Sequence, residues 1–378
     1  MKLNIPFDEI NWTTSSFLIG SAITSLTALP IYLWHFGLDW FQITLFLFYF
    51  ISTGLSITLG YHRLFAHLSF KASWPVKLYT LVFGAAAFQE SALAWVSDHR
   101  NHHKHVDHDY DPYNINLGFF HAHMGWLLFR LQHDQPTDNV SDLKNDPLVM
   151  WQHRWWLLIG TSAGYVLPTI LGYLYGGPQA ALGAFLIAGV GREFFVQHMT
   201  FLINSFCHYI GKRPYSSKCS ARDSSFIALF TFGEGYHNFH HEFQQDYRNG
   251  VRNWHFDPTK WSIWTLDKIG LATNLRRVSR EKILLAELGE MKALVDKRIE
   301  TCQIHLTDST RQFLQQSVDY LQDISLKLSL RHKELQDAVE QKIELSRKTL
   351  SEWRREINEA KIYLKSLHQL EFNLQASA

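Results

Sequence analysis

The sequence predicts an all-α integral membrane protein with four transmembrane helices, a helical cytoplasmic cap and a C-terminal helical extension. Three observations support this fold class. Apolar runs of about 20 residues, the length that a helix needs to cross a bilayer, occur in two closely spaced pairs. Lysine and arginine are missing from the short turn inside each pair. Beyond residue 289 the chain contains neither glycine nor proline, which favours continuous helix.

The four predicted transmembrane helices form two hairpins. The helices cover about residues 15–34, 40–60, 155–175 and 180–203. The turns inside the pairs carry no lysine or arginine, whereas the middle loop and the C-terminal region carry many. Because positively charged loops stay on the cytoplasmic side, we expect both termini and the middle loop to be cytoplasmic, at the inner membrane if the source is bacterial. The first run is too long for a cleaved signal peptide and lacks its basic start.

A fifth apolar stretch, residues 75–96, is interrupted by Lys77, Gln89 and Glu90. We interpret it as a helix at the membrane interface or under the cap. A membrane-spanning helix there would place the first two histidine clusters, described below, on opposite faces of the membrane.

The C-terminal region repeats apolar residues at seven-residue spacing, which is typical of a coiled coil or a helical hairpin. The repeat comprises Leu314, Leu321, Leu328 and Leu335, then Ile343, Leu350, Ile357 and Leu364 in a shifted phase. We therefore expect a membrane and cap domain at residues 1–280 and a helical extension at 281–378, through which the protein could oligomerise.

Composition excludes some function classes. The net charge of +1 gives no field that would attract nucleic acid. The three cysteines, Cys207, Cys219 and Cys302, are widely spaced, so we expect no disulfide framework and a reducing environment.

Histidines form three tight clusters, at residues 62–67, 99–103 and 237–241. Histidines three or four positions apart on a helix share a face, so the second and third clusters can each direct three rings to one point. His62 and His67 are five apart, which requires a distorted or ending helix where the second span leaves the membrane. Asn204 and His208 lie one turn apart at the end of the last span.

These side chains suit two metal ions. The candidate ligands are His62, His67, His99, His102, His103, Asn204, His208, His237, His240 and His241. Imidazole binds iron, copper, nickel and zinc, and the lack of clustered cysteine argues against Cu(I) and iron–sulfur chemistry. Iron and oxygen activation are favoured, with zinc left open. Ring N–H groups of such ligands usually donate to carboxylates, and nearby candidates are Asp98, Asp107, Asp109 and Asp111.

Four strings resemble the membrane fatty acyl desaturases: HRLFAH (62–67), HRNHHK (99–104), NSFCH (204–208) and GEGYHNFHH (233–241). The branch they resemble most is that of the stearoyl-CoA (Δ9) desaturases and their bacterial relatives, over about residues 30–280. The resemblance implies a four-helix stem, a cap with a di-iron centre held by the nine histidines, and Asn204 near one metal through water. It also implies that O₂ and two electrons convert a saturated acyl chain to a cis-unsaturated one. Gln89, Trp95 and Thr200 would line the bend of a substrate tunnel.

The acyl carrier and the electron donor stay open. Glu90, Ala94 and Ser97 stand where the animal acyl-CoA enzymes have an amide, an acid and an arginine, and the loop 132–139 lacks lysine. The carrier could therefore be a CoA thioester, an acyl carrier protein or a glycerolipid. No HPGG haem-binding string occurs, so we expect a separate donor such as a ferredoxin, or cytochrome b5 with its reductase.

Two other functions compete with this interpretation. A di-iron lipid or alkane hydroxylase would use the same histidines. A metal transporter is disfavoured, because transport sites lie near the bilayer midplane and these clusters lie beyond the membrane ends. Arg192 and Glu193, within the fourth span, are expected to face the bundle or the substrate tunnel and to satisfy neighbouring polar groups, with structural pairing favoured over catalysis.

Overall fold

The computed structural model describes residues 7–129, 137–304, 311–341 and 343–376. The chain packs as two compact units, which we name the N-terminal unit (residues 1–212 and 219–277) and the C-terminal unit (residues 213–218 and 278–378). Both are built mainly of helices, so the predicted α-helical class is confirmed. Cys207 is a buried free thiol, and the side chain of Cys302 lies outside the described part of the chain.

The N-terminal unit contains long apolar helices and shorter polar ones. In chain order its α-helices are α1 (Trp12–Leu26), α2 (Ala28–Phe36), α3 (Trp40–Leu55), α4 (Trp74–Ala85), α5 (Ala92–His105), α6 (Trp126–Leu128), α7 (Ser141–Lys144), α8 (Pro147–Thr161), α9 (Leu167–Ala184), α10 (Arg192–Tyr209), α11 (Ser225–Phe230), α12 (His237–Glu242) and α13 (Pro258–Lys268). Wider π-helical segments cover Ser56–Ala66, His121–Gly125, Ser162–Val166 and Phe185–Gly191, and 3₁₀ turns cover Phe7–Glu9, Ile115–Leu117 and Thr137–Val140. Strand β1 (Lys71–Ala72) pairs antiparallel with β2 (Ala272–Thr273).

Three helical segments of the described chain are long and apolar enough to cross a membrane: Trp12–Phe36, Trp40–Ala66 and Pro147–Tyr209. The first is interrupted at Thr27, between α1 and α2. Pro30 explains this break, because its nitrogen carries no hydrogen to donate to the Leu26 carbonyl one turn earlier.

The third segment is not straight. Gly176 and Gly177 have non-helical backbone angles, and Gly177 has a φ of 71°, which favours glycine. A Cβ atom placed on Gly172 would lie 2.7 Å from the Cβ of Ala184. Residues twelve apart in a straight helix would be about 18 Å apart. The chain therefore turns back on itself at Gly176–Gly177, within the predicted turn at 175–179.

The two predicted turns lie side by side. The Tyr32 hydroxyl donates to the Gln179 carbonyl at 3.2 Å, and the Gln42 amide donates to the same hydroxyl at 2.8 Å. The rings of Phe41 and Tyr175 stack with centroids 4.2 Å apart. Both turns are thus at one end of the helices, whereas the histidines of residues 62–67 come at the far end of Trp40–Ala66.

The prediction of one helix over residues 75–96 is wrong. The structure has α4 and α5 there, separated by a turn in which Phe88 and Glu90 have φ values of 54° and 68°. Ser91 begins the second helix, since its hydroxyl accepts from the Ala94 N–H at 3.3 Å. Neither helix belongs to the apolar segments named above.

The C-terminal unit contains three long helices, α14 (Arg280–Ile304), α15 (Arg311–Glu340) and α16 (Arg347–Ala376). The predicted helical C-terminus is confirmed. The members of the seven-residue repeat that are buried in one core with Leu284 and Leu288 are Leu321, Leu328, Leu335, Leu350 and Ile357. Ile343 is exposed instead, between α15 and α16, and the side chain of Leu314 lies outside the described residues. The repeat therefore builds the unit's own core.

Candidate metal centre

A π-helix places the first two candidate ligands together. The helix that begins at Trp40 changes at Ser56 from α to π geometry. Its last bond runs from the His67 N–H to the His62 carbonyl at 3.0 Å, five residues back. In this geometry residues five apart share a face, and the two ring centroids are 4.7 Å apart. The predicted helix distortion at these histidines is confirmed.

The other candidate histidines lie on α5, on α12 and at the end of α10. The short helix α12 is held from outside, because the Asp223 carboxylate accepts from the Phe239 N–H at 3.0 Å. The Asn238 side chain in turn donates to the Ala221 carbonyl at 3.0 Å. The neighbouring chain thus fixes the orientation of a helix that is too short to be stable alone.

The nine candidate histidines converge in two groups. The first contains His62, His67, His99, His103 and His240, and the second contains His102, His208, His237 and His241. Within each group the ligand atoms all lie within 4.8 Å of one another. Nε2 of His67 lies 2.8 Å from Nε2 of His99, and Nε2 of His237 lies 3.1 Å from that of His208. These distances fit nitrogens that share an ion, since two bonds of about 2.1 Å at a right angle place them roughly 3 Å apart.

Carboxylates contact two of these rings at Nδ1, the nitrogen on the side away from the histidine group. Nδ1 of His62 lies 2.9 Å from the Glu234 carboxylate, and Nδ1 of His102 lies 2.8 Å from that of Asp111. An Nδ1–H that donates to a carboxylate leaves the Nε2 lone pair for a metal. Asp111 therefore lies where the sequence analysis expected a hydrogen-bond acceptor, whereas Glu234 was not predicted.

A serine extends this pattern to the second group. Nδ1 of His208 lies 2.7 Å from the Ser220 hydroxyl, which donates to the Asp107 carboxylate at 2.5 Å. Asp107 thus orients a ligand through Ser220 instead of directly. Asp98 lines the cavity described below. Ser220 had no sequence signal, because it lies in a serine-rich stretch outside every motif.

The electrostatics of the site favour metal binding. Burial, reinforced by neighbouring histidines, lowers the pKa well below the usual 6.5 for His67, His99, His103, His237, His240 and His241. Neutral imidazoles keep the lone pair that a metal requires. Burial alone would raise the pKa of Glu234, but Arg63 and His62 lower it, so this carboxylate stays ionised. A neutral nitrogen-rich donor set backed by carboxylates fits one or more divalent transition-metal ions.

A buried ion network supports Glu234. Arg63 donates to Glu234 at 2.8 Å, to Asp257 at 3.0 Å and to the Tyr247 carbonyl at 2.8 Å. The Arg63 side chain is only 1% exposed and that of Asp257 is fully buried. Asp257 also accepts from the Lys260 N–H at the start of α13. The sequence analysis missed this network, although Arg63 and Glu234 lie inside two of the four motif strings.

A cavity opens beside both histidine groups. Its lining includes His62, His99, His102 and His237 together with Gln89, Trp95, Thr200 and Asn204. The Gln89 amide donates to the Thr200 hydroxyl at 2.9 Å, and the Trp95 ring stacks on His99 with centroids 4.9 Å apart. The structure thus brings the three predicted substrate residues and Asn204 into the lining of one cavity with four candidate ligands.

Arg192 and Glu193 are fully buried, and each contacts neighbouring polar groups. Arg192 donates to the carbonyls of Ala86, at 2.6 Å, and Gly164, at 3.1 Å. The Tyr165 hydroxyl donates to Glu193 at 3.5 Å. Neither residue lines the cavity beside the histidines. Arg192 therefore connects α10 to the C-terminal end of α4 and to the segment Ser162–Val166, and Glu193 contacts that same segment through Tyr165.

Residues 89–98, before His99, contain no arginine. Ser97 stands where the acyl-CoA enzymes are expected to have one, and it forms a structural hydrogen bond. Its hydroxyl donates to the Asn139 side chain at 2.8 Å, which ties α5 to the following 3₁₀ turn. Glu90 lies at the cavity rim and Ala94 offers no polar group. Residues 132–136 of the lysine-free loop lie outside the described residues.

Comparison with known proteins identifies the family. The fatty acid desaturase family model matches residues 38–268, which contain all nine candidate histidines. The chain belongs to the fatty acid desaturase family.

Three relatives show how far the similarity extends. Acyl-CoA desaturase 1 of Saccharomyces cerevisiae is 36% identical over 308 residues, 79% of this chain and 60% of that protein. A Delta(9)-fatty-acid desaturase of Caenorhabditis elegans is 35% identical over 286 residues, 74% of this chain and 83% of that protein. The stearoyl-CoA desaturase of Homo sapiens is 34% identical over 276 residues, 71% of this chain and 74% of that protein. The chain thus spans 60% of the length of the yeast relative.

Proposed function

We propose that the protein is an O₂-dependent fatty acyl desaturase that introduces a cis double bond at Δ9 into a saturated acyl chain. The observation that carries the proposal is the convergence of nine buried or half-buried histidines in two groups, of which four members line one cavity. Membership of the desaturase family and the names of the relatives support the reaction and its position. The activity belongs to residues 1–280, and residues 281–378 form a separate helical extension.

Two iron ions would be held by the two histidine groups, with Asn204 beside one of them. When bound, the ions supply the activation of O₂. In the overall reaction the acyl chain loses two hydrogens and gains a double bond. The O₂ molecule, with two electrons and two protons from outside, becomes two molecules of water.

The protein's own residues provide orientation and exclude water. Glu234 and Asp111 fix the ring planes of His62 and His102 through their Nδ1–H groups. Trp95 packs on His99 and forms part of the cavity wall, so an acyl chain there lies beside the ligands. The Gln89 amide nitrogen donates to the Thr200 hydroxyl, and this pair forms a further part of the wall.

We further propose four transmembrane helices with both termini and the histidines on the cytoplasmic side. The reversal at Gly176–Gly177 supports a division of Pro147–Tyr209 into two spans. The adjacent turns at 35–39 and 175–179 carry no lysine or arginine, which supports their placement away from the cytoplasm.

The partners follow from the same reasoning. The relatives named as acyl-CoA and stearoyl-CoA desaturases favour a CoA thioester over an acyl carrier protein or a glycerolipid. Electrons would come from a separate ferredoxin, or from cytochrome b5 with its reductase. Oligomerisation, if present, would use the helices α14 to α16.

The test is expression in a host followed by gas chromatography of its fatty acids. We expect a new Δ9 mono-unsaturated species with the wild type, and its loss in His103→Ala, which removes one ligand of the first group. The matched control is His35→Ala, because His35 is exposed in the first turn and belongs to neither group.

Absence of the mono-unsaturated product from the wild type, despite bound iron and a working reductase, would contradict the proposal. A hydroxylated fatty acid in its place would assign the protein to the hydroxylases.

A further inference from the structure

A second apolar depression lies between α1 and α10, beside the cavity of the candidate metal centre. We name it the side groove; it is lined by Leu18, Ile19, Ser21, Ala22, Ile23, Leu26, Thr27, Met124, Phe194, Gln197, His198 and Phe201. Its volume is about 330 Å³, within the range of about 300–1,000 Å³ that is usual for small-molecule sites.

The groove shares a wall with the cavity. Leu18, Gln197 and Phe201 line both spaces. All three side chains are buried, with 7%, 3% and 5% of their surface exposed. One layer of side chains therefore separates the cavity beside the histidines from the groove.

The outer side of the groove is open and apolar. Ile19, Ile23 and Leu26 are more than half exposed, and they lie on Trp12–Phe36, a segment suited to cross a membrane. The opposite wall belongs to Pro147–Tyr209, another such segment. The medium outside the groove would then be lipid hydrocarbon, so its occupant would be an acyl chain.

The polar groups of the groove are already engaged. Nδ1 of His198 lies 3.1 Å from Nε2 of His123, and the other nitrogen of His123 lies 2.9 Å from the Ser205 hydroxyl. The Gln197 amide donates to the Phe88 carbonyl at 3.3 Å. These bonds leave an apolar surface for a ligand, which fits a hydrocarbon chain better than a headgroup.

We propose that the side groove is an acyl-chain site through which the chain of the product passes laterally from the cavity to the bilayer, with Leu18, Gln197 and Phe201 as the partition. The inference rests on the proposed desaturase function. The break at Thr27, on the groove wall, gives α1 a place to bend when the partition opens. The route lets the apolar acyl chain of the product leave without crossing water.

The first test separates product formation from product exit, using purified full-length protein in nanodiscs with iron, a reductase system and stearoyl-CoA. Ala22→Phe fills the groove without touching the cavity lining, and Ala22→Leu fills it partly. Ser16→Phe is the control, since Ser16 is exposed on the same helix and lines neither space.

We expect Ala22→Phe to form wild-type amounts of product in the first turnover but to lose about fivefold or more in steady-state turnover, because chain exit limits the cycle. Ala22→Leu should be intermediate and Ser16→Phe unchanged. Steady-state turnover of Ala22→Phe equal to that of the wild type would overturn the proposal. So would an equal fall in its first-turnover product, because the defect would then precede exit.

The second test is independent of catalysis. A C18 fatty acid with a diazirine near its methyl end, placed in the nanodisc lipid, should cross-link to peptides containing residues 18–27 and 194–201. The cross-link should disappear in Ala22→Phe and persist in Ser16→Phe, and its absence from the wild type would overturn the groove as a chain site. Wild-type protein that forms no first-turnover product but still cross-links there would contradict the desaturase function alone.

Discussion

The two units of the molecule bury different kinds of side chain. The N-terminal unit encloses ionised groups, and its largest fully buried side chains include Arg63 and Arg192. The core of the C-terminal unit consists mainly of leucine, isoleucine, methionine and valine with one tryptophan. The ion pair of Arg331 with Glu356 in this unit lies at the partly exposed surface.

This difference reflects what each unit must specify. A metal ligand needs a defined ring orientation, which directional hydrogen bonds to Glu234 or Asp111 can give. Buried charges add little net stability, because their desolvation offsets their attraction. Packed helices need only a matched apolar surface, which the seven-residue repeat supplies. Single polar changes should therefore damage the first unit, and single apolar changes the second.

The largest expected effect is that of Arg63→Leu. The change leaves Glu234 and Asp257 buried without their counter-charge, which costs about 3–5 kcal/mol of stability. Thermal unfolding of purified protein should show a markedly lower midpoint for the N-terminal unit. The matched control, Arg331→Leu, breaks a partly exposed pair in the other unit and should change far less. Equal unfolding midpoints for Arg63→Leu and Arg331→Leu would contradict the proposed difference between the two units.

The next effect concerns the apolar core of the C-terminal unit. Leu328 is 1% exposed, so Leu328→Ala should destabilise that unit by about 2–5 kcal/mol through lost burial and a cavity. Hydrogen exchange across α14 to α16 would measure it, with metal content unchanged. Leu330→Ala, at a site 55% exposed on the same helix, is the control. A similar response of both variants would show that the repeat does not form a core.

A smaller change tests the orientation of a ligand. Glu234→Gln keeps the size of the side chain but removes the charged acceptor of the His62 ring, which should weaken metal affinity about 10–100-fold. Titration of the metal-free protein with Fe(II) would measure this. Glu242→Gln, at the end of α12, should bind like the wild type. Unaltered affinity in a folded Glu234→Gln protein would reduce Glu234 to a packing role.

The smallest predicted effect is a pH dependence. Burial, with Arg252 and Lys260 nearby, lowers the pKa of His255 to about 4, against Asp257 acting in the opposite direction. Below about pH 6.5 the His255 side chain binds a proton in the unfolded chain but stays neutral in the folded chain. The free energy of unfolding therefore falls as the pH drops from about 6.5 towards 4.

His255→Phe keeps the stacking on Tyr236, whose ring centroid is 4.3 Å away, and removes the titration. The drop in unfolding midpoint between pH 7 and pH 5 should be smaller than in the wild type, and unchanged in His35→Phe. A larger drop of the unfolding midpoint in His255→Phe than in the wild type would contradict the lowered pKa of His255 as a cause of acid destabilisation.

Much of this arrangement was accessible from the sequence. Histidine spacing on α5 and α12 predicted convergence because helical geometry is regular, and all nine histidines do converge. The five-residue spacing of His62 and His67 also required the helix to depart from regular α geometry or to end there. The limits of the apolar runs located both turns, because hydropathy is read along the chain and needs no knowledge of packing.

The remainder depended on contacts between distant segments. Ser220 meets His208 and Asp107 only after three separate segments fold together. Nothing local distinguishes Arg63 as the partner of Asp257, nearly two hundred residues later. The break between α4 and α5 was missed because apolar content suggested continuity, whereas the positive φ values of Phe88 and Glu90 arise from packing.

The π-helix at Ser56–Ala66 also has a consequence for how this chain can change. In the π-helix the five-residue interval from His62 to His67 forms one helical turn. The relative position of these two ligands therefore depends on the number of residues between them. Apolar substitutions at Leu64 or Phe65 keep that count. Deleting either one would shorten the interval to four, restore α spacing and rotate every later residue by about 100°. This segment should therefore tolerate changes of side chain and reject changes of length.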